Sequence, residues 1–143
     1  MANLYDERTD PQPDWGSLLP REAFYEIMRV LREALPPPAS DDPAKSARRD
    51  RAAMAGVAAL LPGNAAEGRL AAQYVVADAW AMDCLRLAGE RRLEFDIARK
   101  CRAQATSLMR EGKSALRRLE RMQAIRQAIE ADPAAATPPS ARA

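Results

Sequence analysis

NAAEGRLAAQYVVADAWAMDCLRLAGERRLEFDIARKCRAQATSLMREGKSALRRLERMQAIRQ, running from Asn64 to Gln127, is the stretch that decides how this chain folds. Leu70, Tyr74, Ala77, Ala81, Cys84 and Ala88 recur at alternating steps of four and three. So do Cys101, Ala105, Leu108, Gly112, Ala115, Leu119 and Met122, and Gly89 lies between the two runs. On a helix, that spacing keeps one stripe turned to one partner. The pattern predicts a long antiparallel helical hairpin. A turn near residue 91 would set Ala81 against Cys101, Ala77 against Ala105, Tyr74 against Leu108, and Leu70 against Gly112. A glycine in mid-helix costs up to about 1 kcal/mol relative to alanine, and close packing of Leu70 or Tyr74 is the expected reason for it.

Outward from the hairpin, the first helix is expected over about 65–88. It opens on Asn64 with Glu67 three residues on, the spacing of a capping box. Its far face interleaves Arg69, Gln73 and Asp83 with Val76, Trp80 and Leu87. Those apolar residues require cover from another helix or another subunit. The second helix of the hairpin is expected over about 93–131, ended by Asp132 and Pro133, with residues past Leu116 overhanging its partner. Two shorter helices should precede the hairpin. One covers about 20–35, with Phe24, Met28, Leu31 and Leu35 as its stripe and Ile27 widening it. Pro36, Pro37 and Pro38 stop it. The other covers about 43–61, with Asp42 as N-cap and Pro43 at the first position. Its first half is polar and is expected to project or fray.

Composition agrees with an all-α, four-helix, bundle-like protein. Hydrophobic residues make up 48% of the 143, with alanine the commonest, against 5% aromatics, and no alternating β-branched run suggests a strand. Residues 1–18 form an acidic stretch without helical period and are expected to be a disordered arm, with Tyr5 and Trp15 as exceptions that dock internally or anchor a partner. Residues 19–131 form the helical domain, and the Ala/Pro tail 132–143 is expected to be disordered. No signal peptide or membrane span is read. A cytoplasmic protein with reduced thiols is the expectation.

The same inventory limits the chemistry. The chain has no histidine, which removes the commonest general base and the commonest metal ligand. Glu94, Asp96, Asp78 and Asp83 are therefore not read as a metal or acid/base cluster, and Asp78, at the edge of the apolar stripe, is expected to bridge the hairpin to Arg99 or Arg102. Cys84 and Cys101 lie on facing stripes and are read as small hydrophobes. No enzyme, cofactor or metal is expected. Charge is uneven despite a net +2: residues 1–46 carry five Lys/Arg and nine Asp/Glu, and residues 91–126 carry eleven and four. The basic helix offers Arg99, Arg102, Arg110, Lys113, Arg117 and Arg121 as candidate nucleic-acid contacts, against the plainer reading of a solvated face.

The segment 62–86, PGNAAEGRLAAQYVVADAWAMDCLR, resembles part of a group of short bacterial helical proteins with no known activity. The likeness runs over about 60 residues, from the end of the second helix through the fourth. Members of that group continue into a His/Val-rich C-terminal segment where this chain has its Ala/Pro tail. The resemblance implies no functional residue.

The expected function is thus a non-enzymatic structural or protein-interaction module with Trp15, Val76, Trp80 and Leu87 as its candidate interaction surface and its protein partner unknown. Val76, Trp80 and Leu87, with the overhanging end of the last helix, favour self-association as a homodimer. The alternative is a nucleic-acid-associated accessory protein using the basic helix.

Overall fold

The computed structural model describes residues 19–136, so Tyr5, Trp15 and the arm 1–18, with residues 137–143 of the tail, lie outside the described residues. Four α-helices account for the fold: α1 (Arg21–Ala34), α2 (Pro43–Ala59), α3 (Ala65–Ala88) and α4 (Phe95–Ala131), followed by a single 3-10 turn, Pro133–Ala136. The described residues contain no strand. The chain is all-α, with α3 and α4 paired as the long hairpin and α1 and α2 laid against α3.

Local chemistry sets the helix ends. Pro20 precedes α1, and Leu35 closes it with an N–H bond to the Leu31 carbonyl before the three prolines forbid continuation. Asp42 caps α2, its Oδ1 accepting from the Ala44 N–H at 3.0 Å. Leu61 reverses the chain after α2 with φ of 50°, a left-handed position usually given to glycine. Asn64 caps α3, its Oδ1 accepting from the Glu67 N–H at 2.9 Å.

The core is a cluster in which Ile27, Leu31 and Leu35 of the α1 segment, Ala53, Val57 and Ala58 of α2, Leu70, Ala71 and Ala72 of α3 and Leu119 of α4 meet. Fully burying a leucine such as Leu31 or Leu119 is worth about 1.5–3 kcal/mol. In α1 the deep positions are Ile27 and Leu31, while Phe24 and Met28 sit half-buried on the flank. Ile27 goes deep because α3 offers Gly68: a Cβ there would lie 2.5 Å from Ile27 Cδ1.

Two expectations about the hairpin need correction. Gly112 lies opposite Ala77 and Tyr74, with a Cβ position 3.5 Å from Ala77 Cβ and 3.6 Å from Tyr74 Cδ2, and not opposite Leu70. The cause is the turn. Bonds from Glu90 N–H to the Leu87 carbonyl and from Leu93 N–H to the Glu90 carbonyl extend it, and α4 starts at Phe95 rather than Leu93. The added length slides α4 toward the hairpin tip by about one helical turn. The overhang beyond Leu116 shrinks with it, since Leu119 is 1% exposed in the core and Arg126 comes level with Glu67. The first half of α2 projects as expected, with Pro43, Ala44, Lys45, Ala47 and Arg48 exposed. It is held at its end, where Arg49 Nη1 donates to the Pro36 carbonyl at 2.8 Å and Asp50 faces Arg32 at 3.6 Å.

Candidate binding face on the fourth helix

The apolar residues expected to form an interaction surface are largely occupied within the chain. Trp80 is half-buried and its Nε1–H donates to the Ala34 carbonyl at 2.6 Å, so α1 covers it. Val76 packs on the core. Leu87 is half-buried nearer the hairpin tip. The intended hairpin core fares better: Leu70, Ala81, Ala105 and Gly112 are buried, and Tyr74, Ala77, Cys84, Cys101 and Leu108 are half-buried along the same seam. Both cysteines are free. Burial, then the neighbouring Cys101 and Asp83, push the Cys84 thiol above its ordinary range, which disfavours the reactive thiolate.

The carboxylates separate. Asp83 pairs with Arg86 at 3.1 Å. Asp78 is exposed and makes no ion pair among the described residues, so the expected bridge to Arg99 or Arg102 does not form. The reason is helical phase: Asp78 faces the groove between α2 and α3, alongside Val75, Ala79 and Met82. Among the described residues no three Cys, Asp or Glu side chains group as metal ligands would.

One charged site was only half legible in the sequence. Glu67 closes the cap of α3, but its Oε2 accepts from the Gly63 N–H at 2.6 Å, and the carboxylate also takes Arg126 Nε at 2.8 Å and Nη2 at 3.3 Å. Its side chain is fully buried. Burial raises the pKa of this carboxyl; the bonds from Arg126 and Gly63, the Arg126 charge and the Asn64 amide outweigh that and hold it below the usual carboxylate range. The spacing of Asn64 and Glu67 announced the cap. Nothing in the local sequence announced Arg126, which lies 59 residues on.

Neither protein-family models, nor curated proteins, nor solved structures gave a match to this chain. No helix among the described residues is long and apolar enough to cross a membrane.

What distinguishes the surface is how its arginines are treated. On α1, Arg29 lies between Glu26 and Glu33, at 2.7 and 3.1 Å. On α3, Arg86 lies between Asp83 and Glu90, both at 3.1 Å. Acid, three residues, arginine, four residues, acid is the same device twice, and it places all three charges on one helix face. Other exposed cations go without an ion pair among the described residues, Lys45, Arg48 and Arg51 of α2 among them. On α4 between Arg99 and Arg121 the pattern survives only as Asp96, three residues before Arg99 and not bonded to it. Arg99, Arg102, Arg110, Lys113, Arg117 and Arg121 are all exposed, and none makes an ion pair among the described residues. Ser107, Thr106 and Ser114 stand at positions where the device would place a carboxylate. At 3.6 residues per turn the six cations fall within an arc of about 100°, roughly opposite the buried line of Ala105, Gly112 and Leu119. Between them that arc also holds Ala103, Thr106 and Glu120, of which only Glu120 is acidic. Like charges three or four residues apart, such as Lys113 and Arg117, destabilise a helix by about 0.2–0.5 kcal/mol per pair. The row therefore works slightly against the isolated helix.

Proposed function

We propose that the protein is a non-enzymatic helical module that acts by binding another macromolecule, with the outer face of α4 as its working surface. The observation that carries this reading is the alignment along one face of α4 of six exposed cations without ion pairs among the described residues, a longer row than the likewise unpaired Lys45, Arg48 and Arg51 of α2. The hairpin supports the role mechanically, because α3 holds α4 along its length and presents it as a rigid edge. Self-association through Val76, Trp80 and Leu87 is not part of the proposal, since α1 and the core engage the first two. A cytoplasmic setting belongs to it, where the free thiols of Cys84 and Cys101 stay reduced.

The reading is tested by placing a photo-crosslinking amino acid at Thr106, on the cationic face, and separately at Glu22, on the exposed side of α1, in the producing cell. Adducts should form from Thr106 and not from Glu22. Equal or weaker capture at Thr106 would remove α4 as the working surface.

A further inference from the structure

We propose that the partner of the α4 face is the phosphate backbone of double-stranded DNA, held without regard to sequence. This rests on the preceding reading of α4 and adds the chemistry of the partner. From Arg99 to Arg121 the row measures about 33 Å at 1.5 Å per residue, the length of roughly ten base pairs at 3.4 Å each. A line of like cations calls for a partner whose negative charge repeats along a line, and a duplex carries one phosphate charge per about 1.7 Å of axis. Five of the six are arginines, whose planar forks match phosphate oxygens two at a time.

The residues missing from the arc narrow the choice. The only aromatic of α4 is Phe95, 74% exposed one turn before Arg99, a single platform where a bound single strand would use a series of them. The arc holds no Asn or Gln to read a base edge. A lipid surface needs a continuous apolar helix face to sink into the headgroups, whereas the exposed apolar residues of α4, Phe95, Ile97, Met109, Ile125 and Ile129, are scattered around the helix rather than aligned on one side. A helix edge also suits the wide major groove of B-form DNA, whereas the deep, narrow groove of A-form RNA does not admit it.

The test is fluorescence anisotropy of the full chain with two 20-base-pair DNA duplexes of unrelated sequence, across a salt series. The two duplexes should bind equally. Affinity should fall on the order of a thousandfold between about 50 and 200 mM salt, as six phosphate contacts require. The triple variant Arg110→Ser, Lys113→Ser, Arg117→Ser should weaken binding at least about tenfold at low salt and roughly halve the salt slope. The triple variant Lys45→Ser, Arg48→Ser, Arg51→Ser removes the same charge from exposed positions of α2 and should leave affinity within about twofold, since those residues lie off the row. Circular dichroism of both variants checks that the helices persist. The assignment is overturned by no binding at low salt, by equal weakening in the α2 variant, or by tighter binding to single strands, duplex RNA or phosphatidylserine vesicles. Failure to bind DNA while Thr106 adducts persist overturns the DNA assignment alone; absence of both overturns the binding-face reading itself.

Discussion

Leu61 holds φ at 50° with its side chain 68% exposed, so it carries left-handed strain with little burial in return. An L-residue with a Cβ pays about 1–2 kcal/mol for that backbone. Leu61→Gly should therefore raise stability by about 1 kcal/mol, read as a higher midpoint in thermal denaturation; a lower midpoint would show that the leucine contributes packing. The bonds from Gln123 Nε2 to the Leu60 and Leu61 carbonyls, at 2.8 and 3.2 Å, use main-chain atoms and survive the change. Glu67 makes a pH prediction. Folding favours its deprotonated form, because the folded carboxyl titrates below its ordinary value of 4.5. Its contribution is complete above that value and drains away as pH falls through the lower, folded one. Urea titrations from pH 6 downward should show stability declining below about 4.5 in the parent, and a shallower decline in Glu67→Gln. Arg126→Ala, which leaves a buried carboxylate without its cation, should cost about 3 kcal/mol at neutral pH.

At the scale of the helices, the glycines of α3 and α4 look alike in sequence and behave oppositely. Gly112 has ordinary van der Waals room for a methyl group against Ala77 and Tyr74. Gly112→Ala should gain up to about 1 kcal/mol from helix propensity, and Gly112→Leu should lose about 1–3 kcal/mol by overpacking the seam. Gly68 has no such room beneath Ile27, and Gly68→Ala should cost about 1 kcal/mol after its propensity gain is set against the clash. Denaturant midpoints of the three variants decide this; a stabilised Gly68→Ala would show that Ile27 swings aside freely. Helix identity and most helix ends were legible, since periodicity, prolines and caps are local signals. The hairpin register was not. It depends on how many residues the turn at 89–94 takes up, and that is decided by the two turn bonds around Glu90. The cationic row was legible as composition, but its lack of ion pairs required knowing where Asp78, Asp83 and Glu67 turn.

For the whole molecule, the same register resolves what the overhang and the far face of α3 require. Trp80 finds the Ala34 carbonyl, Leu119 reaches the core, and Arg126 closes on Glu67, so part of the surface that suggested a second copy is engaged within one chain, while Met82, Leu85, Ile125 and Ile129 stay exposed. Sedimentation velocity at micromolar concentration should therefore give a monomer near the 15.7 kDa of the chain; a dimer would mean that Leu87 and the apolar edge near it bury against a partner. Alone, the sequence determined that this protein is all-α, where its helices lie, and that its basic charge gathers on the last of them. These follow from interactions within a few residues, which repeat or stop visibly along the chain. Only the tertiary structure decided which apolar faces are used up, which carboxylate meets which arginine, and therefore which cations are left facing water. Those outcomes depend on the relative sliding of helices joined by short turns, where one extra residue moves every pairing beyond it.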